Sequence, residues 1–334
     1  MAEALETIAG NLGKRPKGIL AADESQGTIA KRFEEVNLEA SPENTRAFRE
    51  AILTTPCLEA YISGVILHPD TLGQTTSDGT TLVSRLVAHD IIPIVKVDQG
   101  TRPHLQYHGE FLTRGLDGLS QRLDTYAGQG AQATKWRAVF NIGNGRPSDA
   151  IIEQNVGLLQ QFAYLSLRGG MVPMVEPEVE MIGPHSIQEC YDVSSKVLKA
   201  LFETLDRSSL NKVILKTNMI VPGNKYAGQI DRMEAARLTL EVFQQYVPSN
   251  VAAIALLSGG VGDEDSTLVL NYINQLRPQR ENQTPITFSF SRALLRAAYE
   301  AFARDRTPAG VQQALLTRAE ANSLATTGSY RPLK

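Results

Sequence analysis

The chain has 334 residues, 42% of them hydrophobic, and balances 33 Lys+Arg against 36 Asp+Glu for a net charge of −3. That balance excludes a disordered chain and a basic nucleic-acid footprint, and no stretch approaches the roughly 20 apolar residues of a membrane span. The acidic start Met1-Ala2-Glu3-Ala4-Leu5-Glu6 is not a signal peptide, and two cysteines, Cys57 and Cys190, are too few for a disulfide framework. The expectation is a cytoplasmic protein with reduced, small, buried cysteines.

Short apolar runs recur along the chain, each bounded by Gly, Pro, Asn, Asp or Ser. They cover 18–23, 62–69, 91–98, 134–142, 170–179, 212–219, 252–259 and 285–291, with successive starts 29 to 44 residues apart. Near-continuous rather than alternating hydrophobicity predicts strands buried on both faces, hence parallel, at βαβ spacing. The spacers carry helix signals. Ser41-Pro42-Glu43 supplies a cap and a first-turn Pro. Ser148 opens a periodic stretch over 151–167 that stops at Arg168-Gly169-Gly170. Ser186-Ile187-Gln188-Glu189 fits a capping box, and 230–246, 264–276 and 292–303 are helical by period. Eight β/α alternations predict an α/β fold, a single-domain (β/α)₈ TIM barrel over 1–334, with insertions at 24–61 and 99–133 and a short tail over 304–334. The competing architecture is an open doubly wound sheet.

Charged and polar residues gather at the C-terminal ends of these runs. Asp23 ends the first, Lys96 and Asp98 the third, Glu176 and Glu178 the fifth, Lys216 and Asn218 the sixth, and Ser258 the seventh. Lys135 and Arg137 lie in the fourth, and Ser289 and Arg292 close the eighth. In a barrel those ends meet at one mouth, where active sites are built. Period-two alternation places Lys135 with Arg137, Glu176 with Glu178, and Lys216 with Asn218 on common faces. A structural ion pair accounts for any one of these charges. It does not account for the whole ring, since burying that many charges is costly.

Lysines beside carboxylates suit amine catalysis. A neutral amine attacks a carbonyl to give a Schiff base, and carboxylates move the protons. Lys216 follows Val213-Ile214-Leu215, the driest surroundings of the three lysines; Lys135 and Lys96 remain alternatives. Ser258-Gly259-Gly260-Val261-Gly262, leading into a helix, reads as an anion site, with Arg292 as a forked cation. Across the mouth stand Ser25, Thr28 and Lys31-Arg32. Two such zones suit a substrate with two anionic ends.

Other signals carry less. His104 and His108 have the spacing of two ligands on one helix face but lack a third, so no metal site is expected. No P-loop or dinucleotide fingerprint occurs. Trp136 should face away from Lys135 and pack behind the barrel. Asn282-Gln283-Thr284 matches a glycosylation acceptor without a secretion signal to support it.

These motifs resemble class I fructose-bisphosphate aldolase, the metal-independent Schiff-base lineage. The matching stretches are Lys17-Gly-Ile-Leu-Ala-Ala-Asp-Glu-Ser25, Ile94-Val-Lys-Val-Asp98, Ala133-Thr-Lys-Trp-Arg137 and Val172-Pro-Met-Val-Glu-Pro-Glu178. Val213-Ile-Leu-Lys-Thr-Asn-Met219, Leu257-Ser-Gly-Gly260, Thr287-Phe-Ser-Phe-Ser-Arg292 and Asn322-Ser-Leu-Ala325 follow in order. The resemblance implies a (β/α)₈ barrel that reversibly cleaves fructose 1,6-bisphosphate, without cofactor, to dihydroxyacetone phosphate and glyceraldehyde 3-phosphate. It implies Lys216 as the Schiff-base lysine, Glu176 as the main acid/base and Glu178 as a carboxylate near the lysine. Asp23 and Lys135 would position the reacting hydroxyl. Ser258, Gly259, Arg292 and Arg32 would hold one phosphate and Ser25, Thr28 and Lys96 the other; Gly260 and Ser289 would also bind substrate, and Arg137 would line the site. A homotetramer is the family's common state.

There are departures. The family's mobile tail ends in a tyrosine that reaches the site, whereas Tyr330 matches a tyrosine before that tail. Thr217 replaces a common proline and Ser291 a common glycine. Competing readings are another Schiff-base barrel, transaldolase-like or acting on sedoheptulose 1,7-bisphosphate, and a non-catalytic sugar-phosphate-binding barrel with a regulatory or assembly role.

Overall fold

Each of the eight apolar runs forms a strand in the computed structural model, which describes residues 2–278 and 283–332. Asn282 lies outside the described residues. The barrel strands are β1 (Gly18–Ala22), β2 (Ile62–Leu67), β3 (Ile92–Lys96), β6 (Ala133–Phe140), β7 (Val172–Val179), β8 (Ile214–Thr217), β9 (Ala253–Leu256) and β10 (Ile286–Phe290). A two-stranded antiparallel ribbon, β4 (Thr101–Pro103) and β5 (Phe111–Thr113), rises between β3 and β6. The barrel closes in the order β1-β10-β9-β8-β7-β6-β3-β2, with every pairing parallel. Closure rules out the open sheet.

The helix signals hold locally. Ser41 caps Pro42–Leu53 with Pro at the first turn, and Ser148 caps Asp149–Arg168. Ser186 and Glu189 form the reciprocal capping box of Ile187–Thr204. Two expectations change. The segment after 303 is no simple tail, because Pro308–Ala325 is a helix packed on the helices Pro42–Leu53, Asp263–Leu276 and Arg292–Asp305. It buries Asn322 and Ser323 beside Val311 and Leu315, so no clean apolar stripe marks it. The segment between His104 and His108 is a turn at the tip of the ribbon, and His104 Nδ1 accepts the backbone N–H groups of Gln106 and Tyr107.

Apolar side chains pack in two bodies. The larger fills the layer between strands and helices; there Trp136, fully buried, stacks on Phe162 as expected for the outward face of β6. The smaller fills the lower barrel interior, where Leu5, Ala9 and Leu12 of the helix Ala2–Leu12 meet Ile19, Ile66, Ile94, Met174, Ile214 and Ala253. That helix plugs the floor. Its fit depends on Gly64, where a Cβ would stand 2.5 Å from Leu12 Cδ2. Above this apolar floor the interior is charged, which divides the barrel into a structural lower half and a polar mouth.

Candidate active site

The mouth holds a cavity of about 860 Å³ walled by residues from most of the barrel strands and the loops that follow them. Strand register sets the charges level with one another: Lys96 pairs with Lys135, Arg137 with Glu176, and Val139 with Glu178. Alternation then turns Lys135, Arg137, Glu176 and Glu178 inward and Trp136 outward, as the sequence predicts.

At the centre lies a chain of four groups. Asp23 accepts a hydrogen bond from Lys135 Nζ at 2.8 Å. Lys135 Nζ also stands 2.8 Å from Glu176 Oε2, an ion-pair approach without hydrogen-bond alignment. Glu176 Oε1 in turn lies 3.0 Å from Lys216 Nζ. The side chains of Lys135, Glu176 and Lys216 are no more than 5% exposed. Burial alone would raise Asp23 and Glu176. The facing lysines outweigh it and hold both carboxyls below the usual carboxylate range. Burial opposes the charge on Lys135 too, yet Asp23, Glu176 and Asp98 hold its ammonium well above the ordinary lysine range. Lys135 is therefore a fixed cation. Lys216 has one ion-paired carboxylate, Glu176, and no hydrogen bond among the described residues.

The remaining expected residues sort by position. Lys96 donates to Asp98 at 2.7 Å, and Arg137 donates to Glu178. Glu178 thus sits on Arg137, and the carboxylate touching Lys216 is Glu176. Ser258, Gly259, Ser289, Ser291 and Arg292 line the cavity, but Gly260 does not; its left-handed turn backs onto Met181. Ser289 Oγ is buried and unpartnered, and Arg292 has no ion pair among the described residues. Both line the same cavity. The helix Asp263–Leu276 is a poorer anion site than its sequence suggests, because its first turn already carries Asp263, Glu264 and Asp265. Ser25 caps Gln26–Glu35 and shares a 3.1 Å contact with Thr28 Oγ1. With Arg32 they line the cavity next to Ser289 and Arg292 rather than across the mouth as expected, because β1 pairs directly with β10 when the barrel closes.

Asn218 is a correction. β8 ends at Thr217, and Asn218 turns out of the barrel, accepting the Val179 N–H and donating to Ser194. Cys57 is another: it is exposed, while Cys190 is buried and its thiol is pushed up to about 11 by burial.

Sequence reasoning missed two carboxyls. Asp98, marked only as a charged strand end, also accepts the backbone N–H groups of Gly100 and Arg137 and so fixes the β3 loop. Glu24 lines the cavity, accepts from Arg32 at 3.4 Å and from the Tyr299 hydroxyl, and is pushed upward by burial. Its only sequence signal is adjacency to Asp23.

The sequence model of the family "Fructose-bisphosphate aldolase class-I" matches residues 4–334. The chain is 44% identical over 319 residues to the Xanthomonas axonopodis pv. citri protein named "Probable fructose-bisphosphate aldolase class 1", covering 94% of this chain and 95% of that one. It is 40% identical to "Fructose-bisphosphate aldolase 4, cytosolic" of Arabidopsis thaliana, covering 97% of this chain and 82% of that one. The structure of fructose-bisphosphate aldolase from Plasmodium falciparum superposes with a TM-score of 0.95 at 38% identity, over 99% of this chain and 96% of that one. A closed barrel, a lysine–carboxylate centre and likeness along the whole length lead to one assignment: the chain belongs to the class I fructose-bisphosphate aldolase family and is a lyase.

Proposed function

We propose that this chain cleaves fructose 1,6-bisphosphate reversibly through an imine on Lys216. The observation that carries the reading is the 3.0 Å approach of Lys216 Nζ to Glu176, the one carboxylate it shares with Lys135. Glu176 takes a proton from the Lys216 ammonium. The amine attacks the C2 ketone, and Glu176 returns a proton as water leaves, giving the iminium. A carboxylate of the Asp23–Lys135–Glu176 chain takes the C4 hydroxyl proton while C3–C4 breaks. The bonding pair moves into the iminium, and the aldehyde phosphate departs. The enamine is then protonated at C3, and water releases dihydroxyacetone phosphate. Lys135, held cationic, stabilises the oxygen that gains charge.

Ser258, Gly259, Ser289 and Arg292 hold the phosphate on C1, and Ser25, Thr28 and Lys96 hold the phosphate at the far end. The same grip serves sedoheptulose 1,7-bisphosphate, formed by condensation with erythrose 4-phosphate. Relatives named cytosolic and cytoplasmic support a cytoplasmic site of action. The family resemblance supports a homotetramer, for which light scattering should give four times 36.5 kDa.

Borohydride reduction with dihydroxyacetone phosphate present should add mass at Lys216 in a peptide map, and cleavage should survive a strong chelator. No adduct, or an adduct on Lys135 or Lys96, overturns the mechanism. Binding without turnover overturns the activity.

A further inference from the structure

His68 is a titratable cavity residue that the proposed reaction leaves unused. It follows β2 directly. Leu67 pairs with Ala22 of β1 and with Val95 of β3, and Lys96 pairs with Lys135 of β6. One step beyond Leu67, the strand ends therefore bring Asp23, His68, Lys96 and Lys135 to neighbouring positions at one level of the mouth. Three of the four have parts in the reaction; His68 is the fourth.

The ring has a polarity of its own. In the closed order of eight strands, β2 lies four steps from β8 in either direction. His68 therefore stands across the barrel from Lys216. A ketose joined to Lys216 at C2, with its C1 phosphate at the ends of β9 and β10, must send C4 to C6 toward this wall.

His68 has a ring nitrogen to offer. Nδ1 accepts the Asp70 backbone N–H at 3.4 Å and lies 3.3 Å from Asp70 Oδ2. Nε2, on the other side of the ring, has no hydrogen-bond partner among the described residues, and His68 lines the same cavity as Lys96 and Ser25. With Nδ1 engaged at Asp70, Nε2 is the ring nitrogen left to face a ligand, and the protonated ring donates from it.

We propose that His68 is a specificity-determining residue that donates from Nε2 to the distal phosphate of the ketose bisphosphate. The inference rests on the sugar-bisphosphate reading above. In the free protein, burial favours the neutral ring. Of the charges that face it, Lys96 and Arg49 favour neutrality too, while Asp70 and Asp23 oppose it. A phosphate dianion at Nε2 adds to the opposing side, so the bound complex takes up a proton as pH falls. Selectivity for a distal phosphate should then strengthen toward lower pH.

The test compares cleavage of fructose 1,6-bisphosphate with that of fructose 1-phosphate, which lacks only the distal phosphate. His68→Ala should lower the ratio of the two kcat/KM values about tenfold, the size of one charge-assisted hydrogen bond. The loss should appear in KM for the bisphosphate rather than in kcat. The wild-type ratio should rise as pH falls through the imidazole range; in the variant only the phosphates' own ionisation should remain. His68→Gln, which keeps a donor of similar reach, should restore part of the ratio without that pH dependence. Equal losses on both substrates, an unmoved ratio, or an unchanged pH profile would overturn the proposal. Calorimetry with hexitol 1,6-bisphosphate and hexitol 1-phosphate reads the same tenfold ratio without turnover. An enzyme that cleaves neither ketose thus sinks the activity while leaving His68 decided.

Discussion

Lys135→Met removes the cation shared by Asp23 and Glu176, each 2.8 Å from its Nζ. The fold then holds two carboxylates against a single adjacent lysine, Lys216, inside a site where both lysine side chains are no more than 5% exposed. Breaking a buried pair from one side costs about 3–5 kcal/mol. The alternative is for one carboxyl to take a proton. From an ordinary value near 3.8 that costs about 1.4 kcal/mol per pH unit, about 4 kcal/mol at pH 7. The two routes agree, so a loss of about 4 kcal/mol is expected at neutral pH.

The pH dependence distinguishes this from a packing defect. In the native chain the depressed Asp23 contributes stability above its unfolded value of 3.8, and that contribution fades only as pH falls through the lower folded value. The raised Lys135 contributes fully below 10.5 and is lost as pH rises from there through its higher folded value. Between these limits the pair is insensitive to pH. In the variant the orphaned carboxyl is protonated in the fold and ionised in the unfolded chain. The deficit should therefore shrink by about 1.4 kcal/mol per unit as pH falls from 7 to 5, a one-proton slope. Urea unfolding of both proteins at several pH values measures it. A deficit under 1 kcal/mol at pH 7, or one that does not change with pH, would refute the account.

Two further outcomes follow from the same geometry. Arg292 has no ion pair among the described residues, and burial together with Arg32 disfavours its charge. Arg292→Ala should raise KM for the bisphosphate about tenfold or more without lowering the urea midpoint; lost stability with an unmoved KM would contradict this. A disulfide reagent should titrate one thiol, Cys57, in the folded protein and a second, Cys190, only after unfolding, and two rapid thiols in the native state would contradict their assigned burial.

The barrel is legible because its strands are buried on both faces. Eight apolar runs needed no partner information to be seen, and their boundaries fall within a few residues of the observed strands. The caps at Ser41, Ser148 and Ser186 are legible for a related reason: capping is a contact over three residues. What escapes the sequence is non-local. The helix Pro308–Ala325 packs against three helices, so its burial does not reduce to one stripe. Alternation put Glu176 and Glu178 on one face but did not tell which lysine or arginine each meets; only closure of the ring assigns Glu176 to Lys135 and Lys216 and Glu178 to Arg137. Asn218 failed because alternation ends with the strand, one residue earlier. Nothing in the sequence singled out His68 among the five histidines, because it is strand register that makes it level with Asp23 and Lys96.

The plug of the barrel floor carries a consequence for assembly. Leu5, Ala9 and Leu12 are made long before Ile214, Ala253 and Ala255 of β8 and β9, yet they share a cluster with them. Bringing such distant stretches together costs loop-closure entropy before any contact repays it. The helix Ala2–Leu12 therefore completes its contacts only after β8 and β9 have been made. A nascent chain halted before β8 would lack part of the wall that the helix Ala2–Leu12 seals against, and the amine of Lys216 would gain its dry surroundings only when these two distant stretches meet.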